Sequence, residues 1–183
     1  MTRRSEFTSR ELRADNRLDQ AREDILQETP GANLKTVILD LNSQASVRKA
    51  AKEIAALGDL DVLINNAAVM MNPYGTTEDG LESQFGANYV GPWLLTNLLI
   101  PSLLKTAHPR VVFVSSIGHR ASDIRWDDIG FSNGQKYDKI AAYGQSKTAA
   151  ILNAVELAQK YGPKLTAIAL HVSDRAPRSS KQH

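Results

Sequence analysis

Tyr143 and Lys147 stand four residues apart within the stretch AAYGQSKTAAIL, residues 141–152. A phenol that titrates near pH ~10 is a poor acid or base at neutral pH. An ammonium held one helical turn away favours the charged form, and a phenol so tuned can give a proton to a carbonyl oxygen or take one from an alcohol. The pairing works only on a helix, where residues i and i+4 share a face. From Ile140 to Tyr161 the residues Ala150, Ile151, Ala154, Leu157, Ala158 and Tyr161 recur at that spacing. Gly162 then occupies the C-cap position and Pro163 forbids continuation. A Tyr–Lys pair on one helix also arises by chance, so its meaning depends on what the rest of the chain brings to it.

The remaining elements read as alternating helices and strands. Residues 1–17 are rich in Arg, Ser, Glu and Asp and read as a disordered or loosely helical tail. A helix is expected from Leu18 to Glu28, with Leu18, Ala21, Ile25 and Leu26 as its buried stripe. After the turn Thr29-Pro30-Gly31-Ala32, the run LKTVILDL (34–41) reads as a strand buried on both faces. Asn42 or Ser43 can cap a helix that carries Val47, Ala50, Ala51, Ile54 and Ala55 at core spacing and stops at Gly58. Leu60–Ile64 is a second strand, Asp79–Lys105 a long helix, Arg110–Ser116 a third strand and Leu165–Leu170 a fourth. Residues 173–183 read as a polar, basic tail.

This alternation predicts an α/β fold with a parallel sheet covered by helices on both faces. Ligands of such sheets sit beyond the carboxyl ends of the strands. Those ends are Asp40-Leu41, Asn65-Asn66-Ala67-Ala68, Ser115-Ser116 and His171. Polar groups directly after apolar runs suit a site. They also have plain structural readings: the asparagines can close a turn, the serines and Asp40 can cap local backbone, and His171 is read as structural.

Composition narrows the classes. With 183 residues, 42% hydrophobic and 23% charged, the chain suits one soluble globular domain with a sizeable core. A net charge of +2 and few, scattered aromatic residues give no basis for a nucleic-acid partner. The absence of cysteine excludes disulfides, thiolate catalysis and cysteine-ligated metal, and no metal site is expected. It accords with a reducing, cytoplasmic setting. Residues 1–16 are polar and have no apolar run, so they do not read as a signal peptide. The longest apolar stretch, Tyr89–Leu104, is shorter than the about 20 residues of a membrane span and carries Pro92 and Pro101.

Asn66-Ala67-Ala68 at one strand end, Asn88 in the following helix, Ser115-Ser116 at the next strand end and Tyr143-x-x-x-Lys147 form one ordered set. The set resembles the short-chain dehydrogenase/reductase family, whose pattern is an NNAG turn, a helix asparagine, a strand-end serine and YxxxK. The resemblance runs from Leu18 to Leu170. The segments QFGANYVGPWLLTNLLIPSLL, SSIGHR and YGQSKTAAIL are similar to the retinol-dehydrogenase-like branch.

The resemblance implies a Rossmann-like parallel sheet flanked by helices. It also implies an NAD(P)-dependent oxidoreductase that interconverts lipophilic alcohols and aldehydes or ketones. Tyr143 then matches the acid/base, and Lys147 the residue that favours its charged form and binds the nicotinamide ribose hydroxyls. Ser116 matches the group that hydrogen-bonds the substrate oxygen, and Asn88 the residue whose main-chain carbonyl holds a water in the proton relay. Asp40 with Leu41 matches the adenine contact, and Asn66, Ala67 and Ala68 the stretch lining the cofactor. The expected partners are a small lipophilic alcohol or carbonyl compound and, in a homo-oligomer, a second copy. Pro92 adds independent support, because it cannot supply the N–H that would occupy the Asn88 carbonyl; a tolerated kink is the other reading. Between Ser116 and Tyr143, the residues His119, Ile124, Trp126, Ile129 and Phe131 could fold over the substrate or belong to a surface loop.

Departures from the family pattern are as informative. The family's TGxxxGxG turn has no counterpart, since Gly31 is the only glycine before Gly58. That turn normally sets backbone N–H groups and a helix N-terminus against the pyrophosphate. The family's HPG is replaced by His171-Val172-Ser173, and the fourth residue of the asparagine turn is Ala68 rather than glycine. The expectation is an incomplete sheet, truncated at both ends, lacking the first strand with its glycine-rich turn and the last strand. Residues 18–172 would then be a partial NAD(P)-binding domain using NAD or NADP. The competing expectation is a catalytically inactive remnant that only binds a partner or does not fold stably alone.

Overall fold

The structure, a computed structural model, describes residues 9–172, which divide into two units, residues 9–38 and 39–172. The polar tail expected at 173–183 lies outside the described residues. In the first unit a single helix, α1 (Ser9–Glu28), begins well before the expected Leu18. Its expected stripe is not buried: Leu18 and Leu26 are half-buried, while Ala21 and Ile25 are exposed. Among the described residues α1 is the only regular element of its unit, so the stripe has no partner there. No strand forms over 34–41, and Ile38 and Leu39 are 51% and 37% exposed. A strand is a property of a pair, and the sheet has no member on the free side of its first strand among the described residues.

The second unit begins its regular structure at Ser43, whose extended backbone and side chain, accepting from the Ser46 N–H, cap α2 (Gln44–Ala56). Val47, Ala50 and Ala51 are buried as expected, Ile54 is half-buried, and Ala55 faces solvent. Three parallel strands follow in the order β1-β2-β3: β1 (Val62–Asn65), β2 (Arg110–Val114) and β3 (Thr166–Leu170). Val62 pairs with Arg110, and Arg110 with Thr166. The expected parallel sheet is therefore present with three strands.

Side chains alternate across this register. Leu63, Val111, Phe113, Ala167 and Ala169 turn to one face, where they meet Ile100 and Leu103 of α4 (Gly91–Leu103) and Ala150, Ala154 and Leu157 of α5 (Lys139–Tyr161). Helix α2 joins the same side through Val47 and Ala51 against Leu94, Leu95 and Leu99. The opposite face presents Val62, Ile64, Ile168 and Leu170, each 41–60% exposed. Within this unit the helices thus cover one face, not both. The reason is topological. Each strand follows the last in the same direction across the sheet, and right-handed crossovers then place every connecting helix on one side.

The long helix expected over 79–105 forms as a continuous rod of three parts: α3 (Ser83–Phe85), a π turn (Gly86–Val90) and α4. Buried Glu82 starts it by accepting from the N–H groups of Gln84 and Phe85 at 2.8 Å. In the π turn the Gly91 N–H reaches back to the Gly86 carbonyl. Pro92 follows the π turn directly and can supply no N–H to the carbonyls of the turn behind it. Among the described residues no helix is long and apolar enough to cross a membrane.

Candidate active site

Asp138 caps α5 by accepting from the N–H groups of Ile140 and Ala141, and these bonds hold its carboxyl below the usual carboxylate range. The helix then presents Tyr143 half-buried and Lys147 buried. The Lys147 ammonium donates to the Val114 carbonyl at the end of β2 (2.9 Å) and lies 5.5 Å from the centroid of the Tyr143 ring. The Ser115 hydroxyl donates to the Lys147 carbonyl (2.9 Å), so helix and strand end are joined twice. The ion pairs among the described residues are Lys105–Asp59 and Arg125–Asp128, and neither involves Lys147. Burial pushes the Lys147 ammonium below its ordinary value. A buried cation without a carboxylate is costly, which makes it a marker of function.

Ser116 leads into a 3-10 turn, Ile117–Ala121, and its oxygen accepts from the Gly118 N–H (3.1 Å). The hydroxyl proton is left for another acceptor. A Cβ placed on Gly118 would lie 2.8 Å from Cε1 of Tyr143 and 3.4 Å from the Ser116 oxygen. The tyrosine ring and the serine hydroxyl therefore converge over a residue that must have no side chain. The turn is seated on α5: a Cβ on Gly144 would lie 3.0 Å from the Gly118 carbonyl, and the single Thr148 hydroxyl proton is shared between the carbonyls of Ser122 (2.8 Å) and His119 (3.1 Å).

Asn88 is buried inside the π turn and reaches this group indirectly. Its Oδ1 accepts from the Val69 N–H (2.8 Å), and its Nδ2 donates to the Val69 carbonyl (2.9 Å) and to the Ser146 hydroxyl (3.0 Å). The Ser146 hydroxyl donates in turn to the Tyr143 carbonyl (2.7 Å). The side chain thus ties the segment after β1 to the helix that carries the tyrosine. Asn66, Ala67 and Ala68 are exposed beyond the end of β1, while Asn65 donates to Thr96 (3.0 Å). Asp40 closes an Asx turn, its Oδ1 accepting from the backbone and side chain of Asn42. Leu41 rests on the start of α4, its carbonyl 2.9 Å from where a Cβ on Gly91 would be. The structure therefore gathers Ser116, Tyr143 and Lys147 at the end of β2, joins Asn88 to them through Ser146, and seats Asp40 and Leu41 against α2 and α4.

The segment between Ser116 and Tyr143 is more core than lid. Phe131 is 1% exposed and Ile124 packs on Phe85 and Ala149, whereas Trp126 is 73% exposed. Gln145, fully buried, accepts from the Arg125 N–H (3.3 Å) and donates to the Ile129 carbonyl (3.0 Å). Tyr137, its phenol pushed up by burial, donates to the Asn72 carbonyl (3.1 Å) and accepts from Gln84 (2.8 Å). Phe131, Ser132 and Asn133 are all left-handed, with φ of 55°, 50° and 54°. Such a run is unfavourable for residues with a Cβ.

Asp128 offsets that cost. Its carboxylate accepts from the Ser132 N–H and from the Ser132 hydroxyl (3.0 Å), and Arg125 sits 3.5 Å away. These contacts, the Ser132 N–H foremost, hold the carboxyl below its ordinary range against a smaller opposing effect of burial. A depressed carboxyl adds stability above its unfolded value, about 3.9, and loses it as pH falls through the folded value. The stability difference between wild type and Asp128→Asn is therefore expected to shrink below about pH 4, measured by urea unfolding across pH. A difference that grows on acidification would contradict this.

Gly118, Gly144, Gln145, Ser146 and Thr148 were not singled out by sequence. A concentration of small and polar residues around Tyr143 was the one available signal. Beside Ser116 a cavity of about 220 Å³ opens, lined by Ser115, His119, Ile151, Ala169, Leu170 and His171. His171, read as structural, is exposed there.

A profile of the short chain dehydrogenase family matches residues 11–127. Retinol dehydrogenase 13 of Mus musculus is 43% identical over 153 residues, covering 82% of this chain and 46% of that protein. The chain thus spans about half the length of the curated relatives it matches, as the 46% shows. Among solved structures, an uncharacterized protein from Mycobacterium paratuberculosis superposes with a TM-score of 0.70 at 38% identity, over 82% of this chain and 55% of that one. A short chain dehydrogenase from Shigella flexneri complexed with NADP gives a TM-score of 0.65 at 25% identity, over 85% of this chain and 62% of that one. With the family profile and this level of identity joined to a strand-end serine and a Tyr–Lys helix, the chain belongs to the short-chain dehydrogenase family.

Proposed function

We propose that residues 18–172 carry the acid–base part of an NAD(P)-dependent oxidoreductase that interconverts lipophilic alcohols with aldehydes or ketones. The observation that carries this reading is the convergence of the Tyr143 ring and the Ser116 hydroxyl over Gly118, with an unpaired buried ammonium one turn away. Relatives named retinol dehydrogenase and a structural neighbour holding NADP support it. In this reading Ser116 donates its free proton to the substrate oxygen and fixes its position. Tyr143 gives a proton to that oxygen in reduction and takes it back in oxidation. Lys147 has one donor on Val114 and keeps two for the ribose hydroxyls. The Asn88 carbonyl holds the water through which the proton is replaced.

The residues present fit the two ends of a dinucleotide. Exposed Asn66, Ala67 and Ala68 leave room for a ligand beyond β1, and Asp40 with Leu41 would meet the adenine. No glycine-rich turn for the pyrophosphate occurs in this sequence. When bound, the nicotinamide supplies or accepts the hydride.

Fluorescence titration of the purified chain with NADH and NADPH tests the reading, with binding expected at about millimolar concentration or below. No binding at that concentration would remove it. A second reading, a non-catalytic binding module, is favoured by the exposed apolar sheet face of Val62, Ile64, Ile168 and Leu170. Failed cofactor binding by a chain that still unfolds cooperatively would select it.

A further inference from the structure

His119 lines the cavity beside Ser116 and takes no part in the chemistry above. Its Nδ1 lies 2.7 Å from the Ser116 carbonyl, which already accepts the His119 N–H at 3.1 Å. A carbonyl oxygen has no proton to give, so Nδ1 must carry the hydrogen and donate. In the neutral ring the other nitrogen, Nε2, is then an acceptor with an open lone pair. The residue cannot easily turn away, because Thr148 holds its carbonyl and Gly144 packs under the preceding peptide.

The remaining lining shows what such an acceptor could meet. Ile151, Ala169 and Leu170 are apolar, the Ser115 hydroxyl is committed to the Lys147 carbonyl, and the exposed His171 ring has its Nδ1 3.3 Å from the Val172 carbonyl, with no hydrogen bond to α5 to fix it. Beside Ser116, the donor assigned above to the reacting oxygen, His119 thus adds a fixed acceptor on a largely apolar wall. We infer that His119 is a specificity-determining residue that selects substrates bearing a second hydrogen-bond donor, such as a hydroxyl, in addition to the reacting oxygen. The substrate class is then a lipophilic hydroxy-alcohol or hydroxy-carbonyl compound rather than a plain one. This deepens the oxidoreductase reading and rests on it for the role of Ser116.

The test uses binding alone, without cofactor or turnover. The chain is titrated with trans-1,4-cyclohexanediol and with cyclohexanol while the ring nitrogens of His119 are followed by NMR. The diol is expected to bind about fivefold to tenfold more tightly, the reach of one neutral hydrogen bond, and to shift the Nε2 resonance. His119→Asn keeps a donor where Nδ1 stood and removes the outer acceptor. It should retain the thermal midpoint and lose the preference for the diol. His119→Gln, with an oxygen near the Nε2 position, should restore part of it. Equal binding of the two alcohols by wild type, no binding of either, or a preference that survives in His119→Asn would each overturn the inference. Failure of NADH titration alone would strike the oxidoreductase reading and leave these binding results standing.

Discussion

Tyr143→Phe is expected to lower turnover of a medium-chain aldehyde with NADPH by about a hundredfold to ten-thousandfold, the usual worth of a positioned proton donor. The substitution is clean because the contact that positions the ring is made by its edge, against Gly118. Phenylalanine keeps that edge and loses only the hydroxyl. The thermal midpoint should therefore move little, and KM should move less than kcat, since in the proposed mechanism Ser116 still holds the substrate oxygen. Retention of activity within tenfold would assign the proton to another group and undo the proposed mechanism.

Asn88→Ala should instead act on the fold, with a loss of about 3 kcal/mol from three buried or half-buried hydrogen bonds at roughly 1 kcal/mol each. The bonds to the Val69 N–H, the Val69 carbonyl and Ser146 share one side chain, so removing it strands partners on two elements at once. Urea unfolding gives the value, and a loss below about 1 kcal/mol would show that water replaces the amide freely. Asn88→Asp separates the components. It keeps the acceptor for the Val69 N–H and removes both donations, so it should fall between wild type and the alanine variant only if the acceptor side dominates.

The contrast between these residues shows what could be read before the fold was known. Tyr143 and Lys147 were legible because helical spacing is local: the periodicity of Ala150, Ala154 and Leu157 that marks the helix also puts the pair on one face. The Val and Ile runs at 62–64, 110–114 and 166–170 were legible for a similar reason. VILDL was not, although its composition is equally strand-like, because pairing needs a neighbour that local composition does not report. The Leu18–Leu26 stripe failed likewise; amphipathicity states that a face is apolar, not that something covers it. Asn88 was singled out for its carbonyl, while its amide partners lie 19 and 58 residues away and leave no local mark. Gly118 gave no sign either, since only the folded chain brings Tyr143 against it.

The π turn at Gly86–Val90 sets a rotational phase. Each residue of an α-helix advances the azimuth by about 100°, and a π turn spends one residue more for the same rise. Asn88 must point toward Val69 and Ser146, whereas Leu94, Leu95 and Leu99 must point into the core with Val47 and Ala51. One straight α-helix of this sequence would have to give up one aim or the other by roughly a quarter turn. The extra residue works as a vernier between two fixed dials, and it lets a rod anchored in the core carry an asparagine aimed at the tyrosine helix.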